Sequence, residues 1–387
     1  MIALFAFLIS GYAQAWEHDI RTDIETAGFF RSINAPGFSI YSSTLDGFVR
    51  AGSLVRLRKQ GFQFEVKPEI LGLVGLSSAL PLQDAAHLSV VLPARFLNLS
   101  TQIAAGPTGE VYFNLDRADL SFSGTGFEAD LGRRPVALGV LKLFPVWNKF
   151  SRPPPVVSGP PLIFGSDAAD VRVQKGEFAL RGLQVLGVSG ADHASIGELT
   201  WYSPWAEFHF LESYWWREQI AGAAVAFDLG GALFRIESLF IGLSPSDPDR
   251  QVQVGAGMEY AFSEQWSAIL EGIYQDVGAL MTGQYRLTQT SRYLFLQAAG
   301  YTFARVEYKP LQLWTFSIGD LLNCVDASNI WVTKVQYSLS ENIDVTGETD
   351  IPLGRSGGEF STQAYNFSGG LSIGVPYQAS IGIKATF

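Results

Sequence analysis

Between Phe367 and Phe387 the side chains change character at every step. The odd positions (Phe367, Gly369, Leu371, Ile373, Val375, Tyr377, Ala379, Ile381, Ile383, Ala385, Phe387) are apolar, aromatic or glycine, and the even ones are polar or small except Pro376. A period of two describes a strand with one face in an apolar phase and the other against water. Roughly ten residues of tilted strand cross the hydrocarbon of a bilayer. That is the spacing of Tyr377 from Phe387, which puts one aromatic at each interface. An edge strand of a soluble sandwich shows the same local pattern, so the rest of the chain has to decide.

The composition favours strands: 40 Gly, 28 Phe, 14 Tyr and 9 Trp stand against 1 Cys and 3 Met in 387 residues. The longest uninterrupted apolar run, Ile2 to Ile9, is too short for a membrane-spanning helix. A closed barrel is the other way to satisfy backbone polar groups in lipid. The same run, followed by Ala13-Gln14-Ala15, reads as an export signal over residues 1–15, leaving 16–387 as one domain. Because no Lys or Arg precedes the run, the true start is expected upstream. A net charge of −10 argues against a nucleic-acid partner. Cys324 has no disulfide partner, and the four histidines lack metal-ligand spacing, so neither metal nor cofactor is expected.

Alternating segments recur throughout. Residues 46–58 set Val49, Ala51, Val55 and Leu57 against Arg50, Arg56 and Arg58; residues 62–73 set Phe62, Phe64, Val66 and Ile70 against Glu65, Lys67 and Glu69. Residues 251–262 and 329–339 alternate as clearly, and 292–303 and 306–318 read as two more strands. The phase breaks near Asp116–Arg117, Arg181–Leu183 and Glu212, where bulges are expected. Short turns such as Gly230-Gly231 and Ser340-Glu341-Asn342 alternate with long links near 75–108, 139–166, 278–291, 319–328 and 354–364, as in transmembrane barrels. The count is 18 antiparallel strands, or 16 if 22–32 and 169–174 fail. The fold class is therefore all-β, a transmembrane antiparallel barrel.

The closing stretch resembles the last strand of bacterial outer-membrane barrels, in which a C-terminal aromatic serves as assembly signal. Tyr377 and Phe387 are assigned that role by the resemblance. The stretches Leu115-Asp116-Arg117-Ala118-Asp119-Leu120-Ser121-Phe122 and Ala129-Asp130-Leu131-Gly132-Arg133-Arg134-Pro135-Val136-Ala137-Leu138-Gly139 are similar to the signature of the Gly-Arg-Gln barrels, the alginate-export-like and related porins. Gly132, Arg133 and Gly139 match; Arg134 stands where the family has Gln and Leu138 where it has Trp. The resemblance implies the fold and the outer membrane of a Gram-negative bacterium, and carries no substrate. It also implies lipid, lipopolysaccharide and the barrel assembly machinery as partners. The oligomeric state is unassigned.

The inward charges are the candidate pore lining: Arg50, Arg56, Arg58, Glu65, Lys67, Glu69, Asp116, Asp130, Arg134 and Arg172, with Asp119, Glu128 and Asp170 continuing the series. Opposed acidic and basic groups can filter solutes by charge and size. They can equally pair across strands to stiffen a wetted wall. The long links 75–108, rich in Leu and Val, and 139–166, with Pro153-Pro154-Pro155, are expected to fold into the lumen; exposed binding surfaces are the alternative. Trp201, Trp205, Trp215, Trp216, Trp266, Trp314 and Trp331 fall near segment ends, as interfacial girdles do; a sugar-stacking track is the sharper reading. Asp192, His193 and Ser195 crowd into one turn, poor geometry for a catalytic relay, so no enzyme is expected. The expected function is a channel for passive diffusion of small polar or anionic solutes. The rival is a plugged barrel with a surface-structural or polysaccharide-associated role, suggested by bulky inward groups at Phe48, Leu54, Ile269, Ile273, Leu311 and Leu313.

Overall fold

The computed structural model of the chain describes residues 17–35, 40–74, 96–97, 99–106, 109–148, 150, 165–187, 193–215, 218–242, 250–282, 296–355, 358–360 and 377–387. All regular structure among them is β. The first strands are β1 (Glu17–Ala35), β2 (Ile40–Lys59), β3 (Phe62–Val74), β4 (Ser100–Gly106), β5 (Gly109–Gly124), β6 (Phe127–Arg134) and β7 (Ser166–Lys175). Next come β8 (Phe178–Leu186), β9 (Ala194–Tyr202), β10 (Ala206–Trp215), β11 (Glu218–Leu229), β12 (Ala232–Ile241) and β13 (Gln251–Ala261). The last are β14 (Trp266–Gln275), β15 (Gly300–Leu311), β16 (Trp314–Asn323), β17 (Asn329–Ser340), β18 (Ile343–Leu353) and β19 (Tyr377–Thr386).

Each strand pairs antiparallel with its successor, except that β3 pairs with β5, and β1 returns to β19. Eighteen strands close the barrel. The extra strand β4 lies along residues 109–114 of β5, while β6 takes residues 118–124 of the same edge. At the seam the Phe387 N–H donates to Thr22 O at 2.8 Å and the Thr22 N–H to Phe387 O at 2.9 Å. Both chain ends of the barrel therefore lie on the short-turn side, as an even strand count requires. The export-signal reading of 1–15 and the closing alternation above Tyr377 lie outside the described residues.

The outward face is largely apolar: Val49, Ile70, Leu131, Leu180, Ile236, Leu270, Ile318 and Ile381 are each exposed on a different strand, with Glu212 on β10 an outward exception. A contiguous apolar belt of this extent is stable only against lipid. Near the short turns its rim is a line of aromatic contacts: Trp266 stacks on Tyr308 at 4.2 Å, and Trp314 meets Tyr337 at 4.4 Å and Phe62 meets Phe122 at 4.7 Å with tilted rings. Tyr214, Tyr274, Trp331 and Tyr377 are exposed toward the other ends of their strands. The girdle expectation holds for Trp201, Trp205, Trp266, Trp314 and Trp331. Trp215 departs from it: it is fully buried and meets Phe150 edge-on at 5.4 Å. Trp216 lies outside the described residues.

Three other expectations change. The strands read at 292–303 and 306–318 are instead β15 and β16, turning at Gln312-Leu313. The register shifts between Tyr308 and Leu311, where Pro310 lacks the N–H that a ladder needs. Leu311 and Leu313 consequently sit exposed at the hairpin tip rather than in the lumen. The bulge expected near Asp116–Arg117 is present, with Asp116 skipped between the pairs Lys67↔Arg117 and Pro68↔Leu115. Those expected near Arg181–Leu183 and Glu212 are absent, since β8 and β10 keep regular registers on both sides. There the apolar residues Leu183, Leu211 and Trp215 face inward because a folded-in segment covers them.

Arg133 ties the upper wall together. Its Nε donates to Asp167 Oδ1 at 2.8 Å, Nη2 to Asp167 Oδ2 at 3.0 Å and Nη1 to Leu115 O at 3.1 Å, and Nη2 also reaches Leu97 O. The Leu97 N–H donates to Asp167 Oδ2 at 2.8 Å, which fastens the chain entering β4 to β6 and β7. Arg133→Ala would strand a buried carboxylate, and a loss of about 3–5 kcal/mol is expected in urea titration of the refolded barrel. Arg133→Lys, keeping charge but not the fork, should recover only part of it.

Candidate functional site

The lumen wall has two unlike halves. On β1, β2, β3 and β5 the inward phase is charged, and the charges are paired. Arg50 Nη2 lies 2.7 Å from Glu69 and 3.5 Å from Asp116. Arg56 meets Glu65 at 2.8 Å and Asp19 at 3.5 Å, and Arg117 meets Glu65 at 2.9 Å. The network sits where Pro68 interrupts the β3 ladder and Asp116 bulges from β5, so that Asp116 and Arg117, adjacent in sequence, join the same cluster. A bulge re-aims side chains in this way. Asn114 Nδ2 completes it, donating to Glu69 Oε1 at 2.6 Å.

Beside this network Asp23, Glu25, Arg50, Gly52, Lys67 and Lys384 line a recess of about 40 Å³, room for a water or two. Among the described residues neither Lys67 nor Lys384 has a carboxylate within ion-pair distance. At longer range Lys67 faces the charges of Asp116 and Glu69, and Lys384 that of Glu25.

The other proposed lining residues are placed as follows. Arg58 Nε donates to Gln63 Oε1 at 2.8 Å in an exposed position near the first short turn. Asp130 pairs with Arg134 along β6. Arg172 donates to the Tyr202 hydroxyl, and Glu128 lies opposite Arg172 in register. A second chain of charges runs across β7–β10: Arg181 to Asp170 at 2.7 Å and to Glu198 at 3.5 Å, then Glu198 to His209 Nδ1 at 2.9 Å, with Glu207 3.1 Å from His209 Nε2. Ser195 donates to Gln184 at 2.5 Å rather than to a histidine.

Toward the long-link ends of β8–β16 the inward phase carries many apolar residues, set among a few carboxylates and amides, and the chain after β6 folds onto them. Val136, Leu138, Leu141, Phe144, Val146 and Trp147 are buried in one cluster with Leu211, Ile220, Leu239, Ile273 and Tyr301 of the wall. Two wall carboxylates, both fully buried, hold this segment by its backbone. Glu271 accepts the N–H groups of Lys142 at 2.8 Å, Leu143 at 2.7 Å and Phe144 at 3.0 Å. Glu237 accepts those of Val140 at 2.8 Å, Leu141 at 3.3 Å and Trp147. Small wall residues make room: a Cβ on Gly222 would stand 2.7 Å from Trp147 Nε1, and one on Gly255 2.4 Å from Leu141. Trp147 Nε1 donates to Ser238 O at 2.8 Å. Lys142, at the lumen surface of the segment, reaches Glu259 at 2.6 Å, which also holds Arg235 at 3.0 Å. The described part of the second long link thus folds inward; residues 75–95 and 151–164 lie outside the described residues.

Reasoning from sequence missed Arg117, Arg181, Glu198, Glu237, Glu271 and Lys142 as site residues. For Glu237 and Glu271 a signal existed: each is a lone carboxylate among inward apolar neighbours, Leu239 and Ile241 or Ile269 and Ile273, which requires buried donors.

No protein-family model matches the chain, and no curated protein matches it. Solved structures similar in fold include Pseudomonas aeruginosa OccK5 (OpdH), at 11% identity over 95% of this chain and 98% of that one, TM-score 0.54. Acinetobacter baumannii OccAB3 matches at 8% identity over 96% and 99%, TM-score 0.57. P. aeruginosa OccK2 (OpdF), solved in complex with glucuronate, matches at 10% identity over 95% and 98%, TM-score 0.55. At such identities the likeness is one of fold.

Proposed function

We propose that this chain is an outer-membrane channel of a Gram-negative bacterium, exported by the signal at residues 1–15, that passes small polar or anionic solutes by diffusion. The observation that carries the reading is the two-sided lumen. A segment anchored on the apolar half narrows the bore, and the opposite half presents paired charges with Lys67 and Lys384 outside any close ion pair. A solute carboxylate or phosphate would find in those two lysines the counter-charge that the fixed ion pairs do not offer. Structural neighbours that are outer-membrane porins support the reading, one of them holding the anion glucuronate. The finer kinship with alginate-export-like barrels rests on Gly132, Arg133 and Gly139; what Arg133 does here, tying strands, supports a shared fold more than a shared solute.

Single-channel recording of the refolded protein under a salt gradient tests this. Ohmic steps with a reversal potential on the anion side are expected. Lys67→Glu with Lys384→Glu should carry that potential toward the cation side, leaving conductance within about twofold, because no buried pair is broken. Cation selectivity in the unsubstituted protein would remove the anion preference. Silence from protein that is folded and inserted would favour the plugged, surface-structural barrel, for which the apolar seat of residues 136–147 is the supporting observation.

A further inference from the structure

Beyond the charged wall, a single carboxyl group joins three of the long links. Glu359 Oε1 accepts the Gln297 N–H at 2.9 Å; its Oε2 accepts the Tyr301 hydroxyl at 2.5 Å and Asn323 Nδ2 at 2.8 Å. The Glu359 N–H donates to Asp326 Oδ2 at 2.6 Å, and the next N–H, of Phe360, to Ser328 Oγ at 3.1 Å. Phe360 is fully buried against Tyr301, their rings 6.2 Å apart, in the same apolar cluster as the folded-in segment. Residues 358–360 are thereby seated on the start of β15 and the turn after β16.

The surroundings of this carboxyl are one-sided. Residues 296–301 and 321–328, which pack on it, contain no Lys, Arg or His; Asp326 is their one acid and Tyr301 their one ionisable hydroxyl. Arg355, the basic residue of its own segment, is exposed. Among the described residues of these packed segments there is no basic side chain to offset a charge here, and Asp326 adds a second of the same sign.

We propose that the Glu359 junction is a proton-operated clasp: protonation keeps residues 358–360 seated on β15 and β16, and deprotonation loosens them. Geometry and electrostatics agree on the direction. Burial first, and the Asp326 charge second, push the Glu359 carboxyl up from 4.5 to about 7, against the three donors that favour its ionised form. A carboxyl raised in the seated state favours seating in full below about 4.5. It loses that contribution as the pH rises through about 7, and is level above. The upper bound on the change in seating equilibrium is roughly 300-fold, from the difference of the two values.

Hydrogen–deuterium exchange of the refolded full chain between pH 5 and 8.5 tests the clasp, with Glu359→Gln measured at each pH so that intrinsic exchange chemistry cancels. In peptides covering 296–301 and 354–360 the ratio of wild-type to E359Q rate should be near one at pH 5, climb toward pH 7 and level off at tenfold or more. Asp326→Asn should move the climb to lower pH. A flat ratio overturns the proposal. Should E359Q not refold, wild type and D326N decide between themselves, and identical pH profiles overturn it.

Discussion

Glu271→Ala is expected to enlarge the bore. Three backbone N–H groups, of Lys142, Leu143 and Phe144, lose one acceptor at a stroke. Each buried donor left unmade costs about 1–3 kcal/mol. Water reaching the freed amides returns part of this, so the seating of the segment should weaken by about 3–5 kcal/mol. Single-channel conductance should rise and become noisy, while the closed sheet, whose ladder does not use this side chain, stays folded by circular dichroism. Conductance equal to wild type in folded protein would mean that the apolar face alone holds the segment. Glu237→Ala should act in the same direction, and the double variant by less than the sum, since the two carboxylates grip one segment.

Gly222→Leu attacks the same seat from the wall. The new side chain would occupy the space of the Trp147 indole, fully buried in that position, and force it off Gly222 and off Ser238 O. Trp147→Ala alone should cost about 3–5 kcal/mol through the cavity it opens. Combining the two should recover part of that loss, because leucine fills what tryptophan vacates. Urea midpoints of the two single variants and the double variant close the cycle. Strictly additive losses would show that the two residues do not compete for one space.

The barrel itself was legible because a membrane wall imposes period two on nearly every strand. Residues 251–262 carry that period without interruption and become β13. The bulges expected near Arg181–Leu183 and Glu212, which the structure lacks, come from the same rule. At Leu183, Leu211 and Trp215 the inward face is apolar while the outward phase beside them holds the polar Gln184 and Glu212, so with lipid as the one apolar phase a bulge is the local repair. A second apolar surface inside the lumen explains them without one. The β15–β16 turn was missed because Gln312-Leu313 holds no glycine, and the informative residue was Pro310. Salt-bridge partners such as Arg181 with Glu198 depend on cross-strand register, which a one-residue slip would scramble.

The seam has a consequence for the order of assembly. Thr386 Oγ1 donates to Asp23 at 3.0 Å across a separation of 363 residues, so this contact joins parts of the chain that meet last. Bringing such distant ends together costs about 5 kcal/mol of chain entropy, on a logarithmic dependence on loop length. Until it forms, the sheet is open and offers the long edges of β1 and β19 to any other strand. The hydrogen bonds between Thr22 and Phe387 therefore mark the commitment point of folding. Removing the last few residues should slow closure and promote aggregation far more than it lowers the stability of barrels that have already closed.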